Sequence, residues 1–351
     1  MSSRSAYLDA WKGIAAIAVI AIHATGSALG FPEGSPNWTY GILSRQVFNF
    51  AVPLFLALAG YLSGHKRLDT WQDARDFWVS RFSRLIPPYI VWSVVTLAVR
   101  DPSVLVQPLA LLKSLASGSA IGIGYYVVVL LQFVAVTPLL ARIKSDRANV
   151  VTMVVVALCA LASRYYFQLE YPESVFARFY SYPLFMWYPF YHLGFYVRRR
   201  GLGFTRKRGL LLGVMIVALG VSLAEGWLLG MHGQTNFGAS QIKFTSFVMS
   251  GAIFLLVLAS GRPWGGQGAP ASLAWFGRNS YFVYLTHLVP LAAASRLLDG
   301  VETLYAIQPV YVLARLAVAV VVCGLAALAI GRLAPRQLAM RWLGVDPLRI
   351  D

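Results

Sequence analysis

The sequence has few charged residues and no long polar stretch. Only 13% of its 351 residues are charged, against about a quarter in a typical soluble domain. In contrast, 58% are hydrophobic, and apolar stretches of about 17 or more residues recur from one end to the other. These features exclude an ordinary water-soluble domain. They predict a single transmembrane domain over residues 1–351.

Cysteine and the familiar cofactor-binding patterns are also scarce. Cys159 and Cys323 both lie in apolar runs, so we expect buried thiols rather than a disulfide or a metal site. The sequence has no His-Glu-x-x-His pattern, no paired cysteines and no carboxylate cluster, so no metal is expected. It also has no Walker-type or glycine-rich phosphate loop. We therefore expect no tightly bound cofactor and no ATP drive.

The charged residues that are present are mostly basic. A net charge of +16 could indicate a nucleic-acid partner. However, the lysines and arginines form short clusters between apolar segments, which is how a membrane protein fixes its orientation in the bilayer. The distribution predicts a lipid bilayer as the partner and no nucleic acid.

The apolar segments predict an all-α, polytopic membrane protein with about ten transmembrane helices. Between them, the stretch 103–117 is short and flanked by proline, so we expect a re-entrant or interfacial piece. The loop 65–84 alternates aromatic with charged residues and predicts an amphipathic interfacial helix before the chain re-enters at Leu85. The expected spans are 13–30, 46–64, 85–100, 121–141, 149–167, 179–197, 209–229, 243–260, 275–295 and 309–332.

The basic residues also predict that both termini are cytoplasmic. With ten spans and a cytoplasmic N-terminus, most of the 30 lysines and arginines fall in cytoplasmic segments, as the positive-inside rule requires. These are Arg4 and Lys12; Lys66, Arg67, Arg75, Arg81 and Arg84; Arg142, Lys144 and Arg147; Arg198, Arg199, Arg200, Arg206, Lys207 and Arg208; Arg262 and Arg278; and Arg332, Arg336, Arg341 and Arg349.

The first predicted helix contains an ionisable pair. Lys12 lies at its cytoplasmic entry and His23 lies deep inside. Eleven residues turn a helix by about 1100°, close to three full turns, and rise by about 16 Å, so the two side chains share one face. A neutral imidazole is tolerable in the bilayer and suits a general base acting on a hydroxyl group. Alternatively, His23 only hydrogen-bonds across helices as a structural residue.

A second cationic pair precedes the third predicted span. Arg81 and Arg84 are three residues apart, so on a helix they share a face at the same membrane level as Lys12. Guanidinium groups bind phosphate bidentately, and three cations at one level suit a multiply phosphorylated ligand. The alternative is ordinary positive-inside flanking.

Four motifs in order resemble the acyltransferase-3 family of integral membrane acyltransferases over nearly the whole chain. The first is a cation, ten intervening residues and then a histidine, here Lys12 and His23. The second is VPLFLALAGYLSG, from Val52 to Gly64, and the third is RFSRLIPPY, which contains Arg81 and Arg84. The fourth is NSYFVYLTHLVP, which contains His287.

The resemblance implies acyl-coenzyme A as the cytoplasmic donor and a hydroxyl group, usually on a sugar, as the acceptor. It implies a catalytic role for His23 and acyl-CoA binding by Lys12, Arg81 and Arg84. An extended pantetheine arm would carry the thioester towards His23. The sequence departs from the family at Lys12, where arginine is usual; lysine keeps the charge but loses the bidentate fork.

The acceptor side is less informative. Residues 164–180 are expected to face outwards and are rich in aromatic residues, which suit either a sugar site or, as we favour, an interfacial aromatic belt. We interpret His287 as a hydrogen-bonding partner rather than a second base. His65, His192 and His232 are interpreted as structural.

The leading hypothesis is therefore transfer of an acetyl or other short acyl group from acyl-CoA to an extracytoplasmic or lipid-linked glycan, of the exopolysaccharide or O-antigen type. A bacterial inner membrane is the expected location. The rival is a transporter or flippase for a lipid-linked or anionic solute. The sequence leaves open acetyl against succinyl, a covalent acyl-histidine against direct transfer, and the oligomeric state.

Overall fold

The computed structural model describes residues 3–260 and 270–347, with side chains from residue 6 onward. Helices dominate these residues and none is in a strand, which confirms the all-α prediction. The helices are α1 Ser3–Ala24, α2 Pro36–Phe48, α3 Ala51–Ser63, α4 Trp71–Arg100, α5 Pro108–Ser117, α6 Tyr125–Leu140, α7 Asp146–Glu170, α8 Val175–Phe179, α9 Tyr188–Arg200, α10 Arg208–Met231, α11 Thr235–Gly238, α12 Phe244–Ala259, α13 Ala271–Arg278, α14 Ser280–Thr286, α15 Leu288–Leu298, α16 Glu302–Tyr305, α17 Gln308–Leu333 and α18 Arg336–Arg341.

Within the described ranges, six helical segments are long and apolar enough to cross a bilayer, and the bent pair α14–α15 would make a seventh. The helices α6 and α12 are apolar but shorter. The predictions that ten helices cross the bilayer and that both termini are cytoplasmic stay predictions. Of the basic residues on which the second prediction depends, Arg262, Arg349 and the side chain of Arg4 lie outside the described residues. The six segments are Ala6–Gly30, Pro36–Ser63, Trp71–Arg100, Asp146–Glu170, Thr205–Met231 and Gln308–Leu333.

Helix α4 differs from the sequence prediction. It begins at a capping box, in which Thr70 and Asp73 each bond the other's backbone, and runs without a break to Arg100. The boundary predicted at Leu85 is therefore wrong, and the amphipathic segment is the first half of a longer helix. Pro87 and Pro88, which usually mark a boundary, lie inside it. The stretch 103–117 forms a 3-10 turn and the ten-residue α5, which is too short to cross a bilayer.

The chain divides into two compact units. The first comprises Met1–Phe55 and Gly203–Leu328. Here α1 lies against α13 with almost no space between the backbones: a Cβ on Gly277 would lie 1.7 Å from the Asp9 carbonyl oxygen, and one on Gly13 would lie 2.5 Å from that of Leu273. The Tyr7 hydroxyl also donates to the Val257 carbonyl of α12 at 2.8 Å. These contacts fix α1 within its unit.

The second unit comprises Leu56–Leu202 and Ala329–Asp351. Glycine again permits close packing: a Cβ on Gly60 would lie 2.0 Å from the Tyr191 carbonyl oxygen, and one on Gly194 would lie 1.9 Å from that of Ala57. The Trp92 indole donates to the Leu343 carbonyl at 3.1 Å, which ties α4 to the C-terminal segment. These contacts fix α3 and α9 side by side and hold α4 in the same unit.

Candidate active site

His23 lies in the last turn of α1, immediately before a 3-10 turn at Thr25–Gly30. Residues on either side, such as Ile22 and Ala24, are buried, whereas the His23 side chain is partly exposed. Neither ring nitrogen makes a hydrogen bond to another described residue. The imidazole is therefore available to a substrate, as a general base requires.

A second histidine lies beside it. The ring centres of His23 and His287 are 5.3 Å apart and the ring planes are tilted by 44°. His287 is fully buried, and its Nδ1 lies 3.0 Å from the Val283 carbonyl oxygen and 2.9 Å from that of Tyr284. The sequence predicted that His287 is a hydrogen-bonding residue. Its position against His23 was not predicted.

The bend between α14 and α15 occurs at His287. The two helices meet at 49°. Pro290 in the first turn of α15 has no N–H, so it cannot donate to the Thr286 carbonyl four residues earlier, and the helix bends there. Both α14 and α15 contact α1.

Two arginines lie near the end of α1. Arg315 of α17 donates from Nη1 to the Ala24 carbonyl and to the Ser27 hydroxyl, each at 3.1 Å. Ser27 in turn donates to Gln308 at 2.8 Å. The guanidinium of Arg45 lies about 4.0 Å from where a Cβ of Gly26 would be. Sequence analysis left these arginines without a role, although ionisable residues inside apolar helices are a signal of function.

Lys12 is on the same helix as His23 but is already paired. Its ammonium lies 2.6 Å from the Asp9 carboxylate, one turn earlier on α1. This ion pair with Asp9 was not predicted. A phosphate that binds Lys12 would therefore have to share the ammonium group with the Asp9 carboxylate or displace that carboxylate.

The structure brings Arg81 and Arg84 together in the second unit. Both line a cavity of about 410 Å³. Arg81 Nη2 lies 3.5 Å from the Leu62 carbonyl oxygen, and its guanidinium carbon lies 5.5 Å from the centre of the Phe77 ring. The full lining is Leu62, His65, Lys66, Arg67, Asp73, Asp76, Phe77, Ser80, Arg81 and Arg84.

This cavity contains more charged and ionisable side chains than the predicted Arg81 and Arg84. Lys66 and Arg67 add two cations to it, and His65, interpreted as structural, is also part of the lining. Partial burial, and then the charge of Lys66 and Arg198, lowers the pKa of His65 from its ordinary value. The cationic side chains outnumber Asp73 and Asp76, so the cavity favours an anion.

The aromatic segment after α7 packs mostly on itself. The Phe167 and Phe176 rings are 4.7 Å apart, and the buried Arg164 lies 3.6 Å from the centre of the Tyr180 ring. His192 is buried as well, with Nε2 2.8 Å from Asn149 Oδ1. These contacts give the residues structural roles within the second unit, and no sugar-binding residue is assigned.

Comparisons with known proteins give one match. A family model described as an acyltransferase domain matches residues 5–328, a range that includes Lys12, His23, Arg81, Arg84 and His287. No curated protein and no solved structure matches the chain. The match covers nearly the whole chain, and the motifs quoted above lie within it. This multi-pass membrane chain therefore belongs to the acyltransferase-3 family.

Proposed function

We propose that this protein transfers an acetyl or other short acyl group from cytoplasmic acyl-CoA to a hydroxyl group of an extracytoplasmic or lipid-linked glycan. The observation that supports this most is His23: a partly exposed imidazole, with no hydrogen bond to another described residue, at the end of an apolar helix in an acyltransferase-family chain. A structural histidine would be hydrogen-bonded, as His192 is to Asn149.

The cationic cavity supports acyl-CoA as the donor. Coenzyme A carries a 3′-phosphate and a diphosphate, and the cavity presents Arg81 and Arg84 together with Lys66 and Arg67. We assign the phosphates to these side chains, with Lys12 as a further acyl-CoA-binding residue. Acyl-CoA acts here as a substrate, and no tightly bound cofactor is part of the proposal.

In the proposed reaction, His23 carries the proton from the acceptor hydroxyl to the leaving thiolate. The imidazole takes the proton of the acceptor hydroxyl, and the oxygen attacks the thioester carbonyl carbon. The C–O bond forms, the C–S bond breaks, and the thiolate of coenzyme A takes the proton from His23. In the covalent variant, an imidazole nitrogen attacks the thioester carbon, the N–C bond forms, the C–S bond breaks and the thiolate of coenzyme A leaves. The acceptor oxygen then attacks the acyl carbon, the C–O bond forms, the C–N bond breaks, and the proton of the acceptor hydroxyl ends on the thiolate.

The acceptor we propose is an exopolysaccharide or O-antigen type of glycan, with the protein in a bacterial inner membrane. Membership of the family and the predicted topology, which has the donor cavity on the cytoplasmic side, support both parts of this proposal. A transporter or flippase would need neither a thioester donor nor a base.

The first experiment replaces the proposed base. Membrane vesicles that contain the protein are given acetyl-CoA labelled in the acetyl group and a lipid-linked glycan, and label in the glycan is counted. His23→Ala should lower transfer by roughly 10²- to 10⁴-fold at equal protein level. His232→Ala, in an exposed loop after α10, is the matched control. Full transfer by His23→Ala contradicts the mechanism, and solute uptake without transfer by the wild type favours the rival.

The second experiment addresses the donor cavity. Arg84→Ala should raise the KM for acetyl-CoA by roughly 10- to 100-fold, because a hydrogen bond to a charged group is lost. The KM of Arg84→Lys should lie between those of the wild type and Arg84→Ala, since lysine keeps the charge but cannot bind a phosphate bidentately. Arg75→Ala, an exposed arginine on the same helix that does not line the cavity, should leave KM unchanged. An unchanged KM in Arg84→Ala would remove Arg84 from the donor site.

A further inference from the structure

The two ring nitrogens of His287 differ: one is hydrogen-bonded to its own helix and the other has no hydrogen-bond partner among the described residues. Nδ1 faces two backbone carbonyl oxygens, of Val283 and Tyr284, so it must carry the hydrogen and donate it. In a neutral imidazole Nε2 then presents a lone pair. This Nε2 is buried and has no hydrogen-bond partner in the described part of the chain. An unsatisfied buried acceptor is costly, so its persistence points to a partner supplied during function.

His23 is at the right distance to be that partner. Each imidazole nitrogen lies roughly 1.1 Å from its ring centre, so an N–H···N bond of about 3 Å joins rings whose centres are about 5 Å apart. The observed separation is 5.3 Å. The χ2 torsion is soft for histidine, so the His23 ring can turn one of its nitrogens towards His287.

Two other polar groups near this pair of rings, those of Thr286 and Arg315, already make hydrogen bonds. The Thr286 hydroxyl donates to the Phe282 carbonyl at 2.9 Å and lies 3.9 Å from the Cys323 sulfur. The Tyr284 ring centre is 6.0 Å from that of His287. Arg315 donates to the Ala24 carbonyl and the Ser27 hydroxyl. His23 is therefore the group best placed to donate to Nε2.

We propose that His287 is a positioning residue for His23. Its Nε2 accepts the N–H of one His23 nitrogen, which leaves the lone pair of the other nitrogen for the acceptor hydroxyl. When His23 takes the acceptor proton it becomes an imidazolium, and its bond to His287 becomes charge-assisted and stronger. The Nδ1–H of His287 keeps its bonds to the Val283 and Tyr284 carbonyls, so the orientation of the ring is fixed while Nε2 accepts from His23. This assignment rests on the proposed function of His23 as the base.

The tautomer of His23 tests the pair without any need for activity. Protein labelled with ¹⁵N-histidine in lipid nanodiscs gives ¹⁵N shifts for the ring nitrogens, and His23→Ala identifies the His23 signals. The wild type should show a single His23 tautomer, and His287→Leu should show a mixture. Thr286→Val, the neighbour whose hydroxyl bonds only within its own helix turn and near Cys323, is the matched control and should match the wild type. An unchanged His23 tautomer in His287→Leu overturns the proposal.

Activity gives the second readout. His287→Leu should lower kcat by roughly 10- to 100-fold with an unchanged KM for acetyl-CoA. His287→Gln, which places an amide oxygen near the position of Nε2, should recover most of that loss. Equal activity of the Leu and Gln variants overturns the proposal, as does an intact tautomer in both. If the Leu variant fails to fold, His287→Gln still decides: it must keep the single His23 tautomer. A wild type without any acyl transfer would instead contradict the proposed function, while the spectra still test the pair.

Discussion

At the scale of single residues, three histidines in apolar surroundings differ in the hydrogen bonds that they make. His192 is bonded to Asn149, and His287 has one nitrogen bonded to its own helix. His23 makes no hydrogen bond of either kind to another described residue, and its side chain is partly exposed at the end of α1. The residue type is the same in the three cases, so the difference in hydrogen bonding comes from the neighbours that packing supplies.

His65 gives a prediction about pH. Its pKa is lowered by partial burial and by Lys66, Arg198 and Arg81, so without a bound anion the imidazole is mostly neutral at pH 7. A bound phosphate would raise this pKa again, so binding takes up a proton. The affinity for coenzyme A should therefore rise as the pH falls from about 7 to about 5.5, by up to about tenfold per unit of pKa difference.

Calorimetric titration of coenzyme A at several pH values checks this. The 3′-phosphate titrates in the same range, so the relevant quantity is the difference between variants. The wild type should gain more affinity on acidification than His65→Ala does, and His232→Ala should behave as the wild type. Parallel pH profiles for the wild type and His65→Ala would exclude His65 from the donor cavity.

At the scale of helices, two glycines allow α1 to approach α13. Gly13 and Gly277 bring the two backbones together, and the segment that follows α13 includes His287. Helix association in a bilayer depends on this kind of close packing, because the lipid is as apolar as the side chains. The distance between His23 and His287 is therefore set at least in part by glycine contacts several turns away.

Gly277→Ala should consequently lower both stability and activity. The added Cβ would lie 1.7 Å from the Asp9 carbonyl oxygen, and overpacking of this kind costs about 1–3 kcal/mol or more. Gly324→Ala in α17, where nothing lies within 4 Å of the new Cβ, is the control and should be neutral or stabilising by up to about 1 kcal/mol. Thermal unfolding in detergent micelles measures the difference, and equal midpoints for the two variants would contradict the close approach.

At the scale of the whole molecule, the orientation in the bilayer is the main prediction still to be tested. The positive-inside rule predicts that the loop with Arg206 is cytoplasmic and the loop with Glu173 is extracytoplasmic. In a background without Cys159 and Cys323, a membrane-impermeant maleimide should label Glu173→Cys in intact cells and Arg206→Cys only after permeabilisation. Both positions are exposed in the structure. The reverse pattern would invert the topology and place the Arg81–Arg84 cavity on the wrong side for cytoplasmic acyl-CoA.

The sequence by itself determined the properties that depend on local chemistry. Length and hydropathy determined an all-helical membrane protein, and helix pitch determined that Lys12 and His23 share a face. The spacing of Arg81 and Arg84 was likewise sufficient to predict that they lie on one face of a helix, and both line the same cavity. The ion pair of Lys12 with Asp9 is also a local feature, since the two residues lie one turn apart on the same helix, although it was not predicted.

Tertiary structure alone decided the rest. His287 lies far from His23 in the sequence, and only the packing of α1 on α13, with the bend at Pro290, brings the rings to 5.3 Å. His65 lines the cationic cavity because the end of α3 lies against α4, where Arg81 contacts the Leu62 carbonyl. Hydropathy and helical periodicity indicate which segments are apolar helices and which residues of one helix share a face. They contain no information on which faces of distant helices meet, because this is set by side-chain shape and by backbone contacts at a few glycines.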